Sequence, residues 1–85
     1  MSYIIISFTN REKTLKLKKF LTEQKIFAEI INTPPDAHIG CGLSVKINSR
    51  DKFKAMQVSA RRGLGNYIMF AVDTYGFSRK IVRIN

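Results

Sequence analysis

The stretch NTPPDAHIGCGLSVKI, residues 32 to 47, holds the one cysteine of the chain, Cys41, between Gly40 and Gly42. A structural cysteine packs among aliphatic side chains as a small hydrophobe. Two flanking glycines instead leave the backbone around the sulfur uncovered and open to close approach. A metal centre would need three or four ligands; only His38 stands near Cys41 and carboxylates are sparse, so no metal is expected. A Cys/His nucleophile would need an oriented imidazole and an oxyanion hole. His38 lies in a loop with nothing visible to orient it, which argues against hydrolysis and for a protein that is not a stand-alone catalyst. What remains is thiol chemistry without a second cysteine. The thiolate is the reactive form, and the N–H groups of Gly40-Cys41-Gly42 can form an anion-holding nest, with Lys46 or Arg50 expected nearby. With no resolving cysteine, a sulfur-loaded Cys41 would last until another protein attacked it, which is how a carrier behaves. The plainer reading makes Cys41 a packed small residue, with the glycines serving only the turn. His38 is then an ordinary loop residue, and Pro34-Pro35 stiffens the loop under both readings.

The elements that must position this loop follow from pattern. YIIISF, residues 3 to 8, is β-branched and aromatic and reads as a strand. Thr9-Asn10-Arg11-Glu12 fits a capping box, followed by a helix over about 11 to 25 with Leu17, Phe20, Leu21 and Gln24 inward. FAEIIN, residues 27 to 32, is a second strand, and Thr33 stays extended because Pro34 follows it. LSVKI, residues 43 to 47, alternates as a half-buried strand. A second helix begins near Asn48 or Ser49, with Phe53, Met56, Ala60 and Leu64 on its apolar side and Gly63 and Gly65 as its stop. YIMFAVDTY is the next strand, and after Gly76 the segment FSRKIVRI is a fifth strand or a surface arm. The order β-α-β-β-α-β predicts an α+β ferredoxin-like split sandwich, an antiparallel sheet with two helices on one face.

Strand alternation places Ile4, Ile6, Phe8, Ala28, Ile30, Leu43, Val45, Ile47, Ile68, Phe70 and Val72 toward the helices. The opposite face then receives Tyr3, Ile5, Phe27, Ile31, Tyr67, Met69 and Ala71, too apolar a set for water. Two covers are expected for it: a homodimer through the open sheet face, or the C-terminal segment folding back with Phe77, Ile81 and Val82.

Thr33-Pro34, followed after a short loop by Cys41-Gly42-Leu43 on a strand-helix-strand background, resembles the selenium/sulfur carrier-like proteins, a family of domains of unknown function. The likeness spans roughly residues 3 to 62. It implies a chain that holds sulfur or selenium on Cys41 as a persulfide or perselenide and passes it on, with Pro34, His38, Gly40 and Gly42 supporting the loop. A donor or acceptor protein, acidic enough to meet a basic carrier, is the implied partner. Where the family carries a basic and an acidic residue after the proline, this chain has Pro35-Asp36, so the electrostatics around the thiol are expected to differ.

The 85 residues suit one domain, 1 to 85, in which 67 to 85 form the last strand plus a C-terminal strand or arm. With 45% hydrophobic and 25% charged residues the composition is that of a folded protein. No secretory signal and no apolar run near the roughly 20 residues of a bilayer span is seen, which predicts a cytoplasmic protein without membrane partners. No cofactor is expected. Fifteen basic against six acidic residues give a net charge of +9, which draws anions. The first helix carries Arg11, Lys13, Lys16, Lys18, Lys19 and Lys25; the second carries Arg50, Lys52, Lys54, Arg61 and Arg62. A second functional reading follows: a basic module whose helices contact nucleic-acid phosphates without reading sequence, Cys41 being structural. The strand LSVKI offers no aromatic platform for base stacking.

Overall fold

The computed structural model describes residues 2–35 and 42–85, so His38, Gly40 and Cys41 lie outside the described residues. In chain order the elements are β1 (Ser2–Ser7), α1 (Arg11–Glu23), β2 (Ala28–Asn32), β3 (Leu43–Asn48), a 3-10 turn (Ser49–Asp51), α2 (Lys52–Arg61), β4 (Ile68–Tyr75) and β5 (Ser78–Arg83). The strands form one antiparallel sheet in the order β2-β3-β1-β4-β5. With β1 and β3 central and two helices packed on one face, this is the expected ferredoxin-like α+β sandwich. The C-terminal segment is a fifth strand beside β4.

Helix α1 starts one residue later than the capping box predicts. Asn10, not Thr9, is the cap: its Oδ1 accepts from the N–H of Glu12 at 2.7 Å and of Lys13 at 3.3 Å. Thr14, Leu17 and Leu21 are buried on its inner face and Phe20 packs beside them, while Gln24, expected inward, is the exposed C-cap. The helix stops before 25 because Lys25 turns left-handed, φ 61°. Lys25 N–H then donates to Thr22 O at 3.0 Å and Ile26 N–H to Leu21 O at 2.9 Å, the paired bonds of a Schellman cap. Helix α2 ends in the same way through Gly63, with Leu64 N–H on Ser59 O at 3.2 Å.

The apolar face of α2 is not the predicted one. Ala55, Val58 and Ser59 face the core with Leu64 beyond them, Met56 is half-buried, and Phe53 and Ala60 are exposed. Apolar residues lie on two sides of α2, Phe53, Met56 and Ala60 on one and Ala55 and Val58 on the other, so periodicity alone does not choose the inward side.

Strand β4 is likewise turned over. Its register to β1 sets Met69 opposite Ile6 and Ala71 opposite Ile4, so Met69, Ala71 and the preceding Tyr67 join the helix-side core. Ile68, Phe70 and Val72 take the open face with Ile5, Tyr3, Ile31 and Ile81. Both sides of β4 are apolar, so alternation alone cannot orient it and pairing to β1 decides. On that open face the centre is already closed within one chain: Ile5 and Val72 are 0% exposed and Phe70 8%. Of the residues expected to fold over it, only Ile81 contributes, from β5 alongside; Phe77 and Val82 are exposed.

Candidate functional site

The loop that carries Cys41 leaves the sheet at the end of β2 and returns at the start of β3. Its two feet are tied together. Thr33 N–H donates to Gly42 O at 2.8 Å, continuing the β2–β3 ladder by one step beyond the pair Asn32 and Leu43. Gly42 has φ +84°, a conformation other residues reach only at a cost, and no atom crowds the place of a Cβ there. Pro34, the residue after Thr33, is buried.

Between these feet lies a row of three hydroxyls. Ser44, fully buried, stands 2.7 Å from Ser7 and 2.6 Å from Thr33, Oγ to hydroxyl oxygen in both cases. Ser7 Oγ also reaches Leu43 O at 3.4 Å. One hydroxyl has one proton and two lone pairs, so Ser44 can join both neighbours at once and leave neither orphaned. Beside Ser7 a groove of about 420 Å³ opens between the end of β1 and the start of β4, lined by Ser7, Phe8, Thr9, Asn66, Tyr67, Ile68 and Arg83. Arg83 Nε donates to Asn85 O at 2.9 Å, which holds the guanidinium at this end of β5.

Strand polarity decides which cations share an end with the loop. Arg50, expected near the thiol, sits in the 3-10 turn at the far end of β3. Lys46 lies over the Tyr3 ring, 4.5 Å from its centroid, and faces the same far end. Arg83 is instead the basic residue lining the groove beside Ser7. Ser7, Ser44 and Arg83 were not singled out by sequence reasoning, and Thr33 only as the residue before Pro34. The serines are spread over two strands whose pairing is non-local, and Arg83 reaches this end only because β5 runs back along β4.

The basic residues of the helices stand where their spacing puts them, on the outer layer: Arg11, Lys16, Lys19, Lys54, Arg61 and Arg62 are exposed, and Lys13, Lys18 and Lys52 partly so. Two are engaged with acids, Lys16 with Glu12 at 3.1 Å and Arg62 with Glu23 at 3.5 Å, the first pair more than half exposed and the second just under half. Arg62 also stacks over the Phe20 ring at 4.5 Å, filling the seam between α1 and α2. Among the described residues no helix is long and apolar enough to cross a membrane.

A family described as "Putative Se/S carrier protein-like" matches residues 3–69, most of the chain. The chain belongs to this family. The matched span runs from β1 into the start of β4, so it takes in both feet of the cysteine loop, all three hydroxyls and both helices of this carrier-like domain. Arg83 and most of the β4–β5 hairpin lie beyond it. No curated protein and no solved structure matches the chain.

Proposed function

We propose that this member of the carrier-like family holds sulfur or selenium on Cys41 and hands it to a partner protein, without catalysing a reaction of its own. The observation that carries the reading is family membership across residues 3–69, a span that includes the one cysteine of the chain. The clasp from Thr33 to Gly42 supports it, because it fixes both ends of the cysteine's loop to the sheet.

Loading is a transfer between thiolates. The Cys41 thiolate attacks the terminal sulfur of a donor protein's persulfide; a new S–S bond forms at Cys41 and the donor's S–S bond breaks. The donor leaves as a thiolate, so nothing is oxidised or reduced overall. Delivery is the same step in reverse roles, an acceptor thiolate taking the outer sulfur and Cys41 departing as thiolate. Terminal selenium would move by the same displacement. Partners of this charge would carry acidic surfaces toward the basic helices.

Intact-mass measurement of protein purified without reductant tests the reading. The expected result is an added sulfur or selenium mass that reductant removes and that Cys41→Ser lacks. A Cys41 that carries nothing after incubation with a persulfide donor, and resists alkylation until the chain is unfolded, would instead make it a packed structural thiol.

A further inference from the structure

Away from the cysteine loop, the sheet ends where β1 begins and β3 stops, Tyr3 standing opposite Asn48 and Ser2 opposite Asp73. The β4–β5 hairpin projects from this end, α2 starts above it, and Phe27 enters β2 there beside the pair Ala28 and Ile47. Six large hydrophobic residues are exposed among the described residues, and the four aromatic ones all stand at this end: Phe27 at 66%, Phe53 at 70%, Tyr75 at 59% and Phe77 fully. The two aliphatic ones, Leu15 near the start of α1 and Val82 on β5, are elsewhere.

Folding does not explain these rings, since none of them joins a core cluster. Three of them instead have cations for neighbours. Lys25 and Lys18 share a groove with Phe27. Lys52 Nζ lies 5.2 Å from the Phe53 ring centroid, with Arg50 and Lys54 on the same turn. Arg79 and Lys80 follow Phe77 on β5. Acidic residues are present too, but Asp51 is buried, and Asp73 and Glu29 stand opposite Lys80 and Lys46. Rings that alternate with cations, without aliphatic companions, make a mixed surface rather than one continuous apolar patch. They match a ligand that is itself alternately planar and anionic. From β2 to β4 is three strand steps, about 14 Å, a span of a few nucleotides.

We propose that this end of the molecule binds a single-stranded polynucleotide, its bases stacking on Phe27, Phe53 and Phe77 and its phosphates meeting Lys25, Arg50, Lys52 and Lys54. Stacking accepts any base, so the site tolerates sequence, and its discrimination is for unpaired over paired strands. The thiol loop leaves the opposite end of the sheet, so this proposal stands or falls apart from the carrier reading.

The test is fluorescence anisotropy of the full chain, kept reduced, with a labelled oligothymidine of about 12 nucleotides, within the usual footprint of single-strand binders. A duplex of equal length and vesicles of mixed neutral and anionic phospholipid serve as competitors. We expect the single strand to bind at least tenfold tighter than the duplex. Phe27→Ala, Phe53→Ala and Phe77→Ala should each weaken it about fivefold or more with unchanged circular dichroism. Phe53→Tyr, which keeps the ring, should retain binding, and Lys16→Ala, on an ion-paired position of α1, should change affinity little. Equal binding of duplex and single strand with no effect of the ring substitutions would overturn the proposal in favour of charge alone. Ring-dependent capture by vesicles in preference to the oligonucleotide would overturn it in favour of a membrane surface. Absence of binding to the oligonucleotide at low salt would also overturn it.

Discussion

Ser44 is the residue on which the base of the cysteine loop turns. Its hydroxyl is fully buried and touches both Ser7 and Thr33, so the Ser44→Ala change removes two contacts while leaving two hydroxyls that were satisfied through it. Ser7, itself buried, is left with only a long contact to Leu43 O at 3.4 Å, and half-buried Thr33, at the foot of the loop, loses this partner as well. Leaving a buried polar group without its partner costs roughly 1–3 kcal/mol. We therefore expect Ser44→Ala to lower the unfolding free energy by about 1–2 kcal/mol in urea titration, and Cys41 to alkylate faster in this variant than in the parent. An unchanged midpoint and an unchanged alkylation rate would show that the hydroxyl row does not secure the loop.

The helix ends show at the level of elements what a sequence does and does not disclose. Gly63 was legible as the stop of α2 because glycine takes φ +63° without strain. Lys25 does the same work at the end of α1 with φ 61°, and nothing in a lysine announces it. Hence α1 was read too long and Gln24 was placed inward. Replacing Lys25 with glycine relieves the left-handed strain, worth about 1 kcal/mol, at the cost of a more flexible unfolded chain. Lys25→Gly should raise the urea midpoint slightly, or at the least leave it in place, and a clear fall would mean that the lysine side chain itself secures the helix end. The overall order of strands and helices was legible because each strand has a β-branched run and each helix a distinct period. The facing of β4 was not, since IMFAV is apolar on both sides. The facing of α2 was not, because Phe53, Met56 and Ala60 make an apolar stripe that competes with Ala55 and Val58. For the candidate site, Cys41, Pro34 and Gly42 draw attention in the sequence by local chemistry alone, whereas Ser7, Ser44 and Arg83 depend on which strand ends meet.

On the scale of the whole molecule, the open sheet face bears on assembly. Ile5, Phe70 and Val72 are closed in by Tyr3, Ile31, Ile68 and Ile81 of the same chain, which leaves only the half-buried margin for a second copy. A stable pairing of chains ordinarily hides about 800 Å² on each partner. We expect sedimentation equilibrium at micromolar concentration to give the mass of one chain, 9.7 kDa. Twice that mass, reduced to one chain by Ile31→Glu, would show that the margin suffices for a homodimer through this face. The clasp between Thr33 and Gly42 has a different reach. Because the sheet is complete on both sides of that single hydrogen bond, the segment it encloses can change in length and composition while the scaffold stays as it is. Doubling such a loop costs only about 0.6 kcal/mol of closure entropy. The domain is in this sense a socket, and selection can refit what is plugged into it without having to reinvent the protein that presents it.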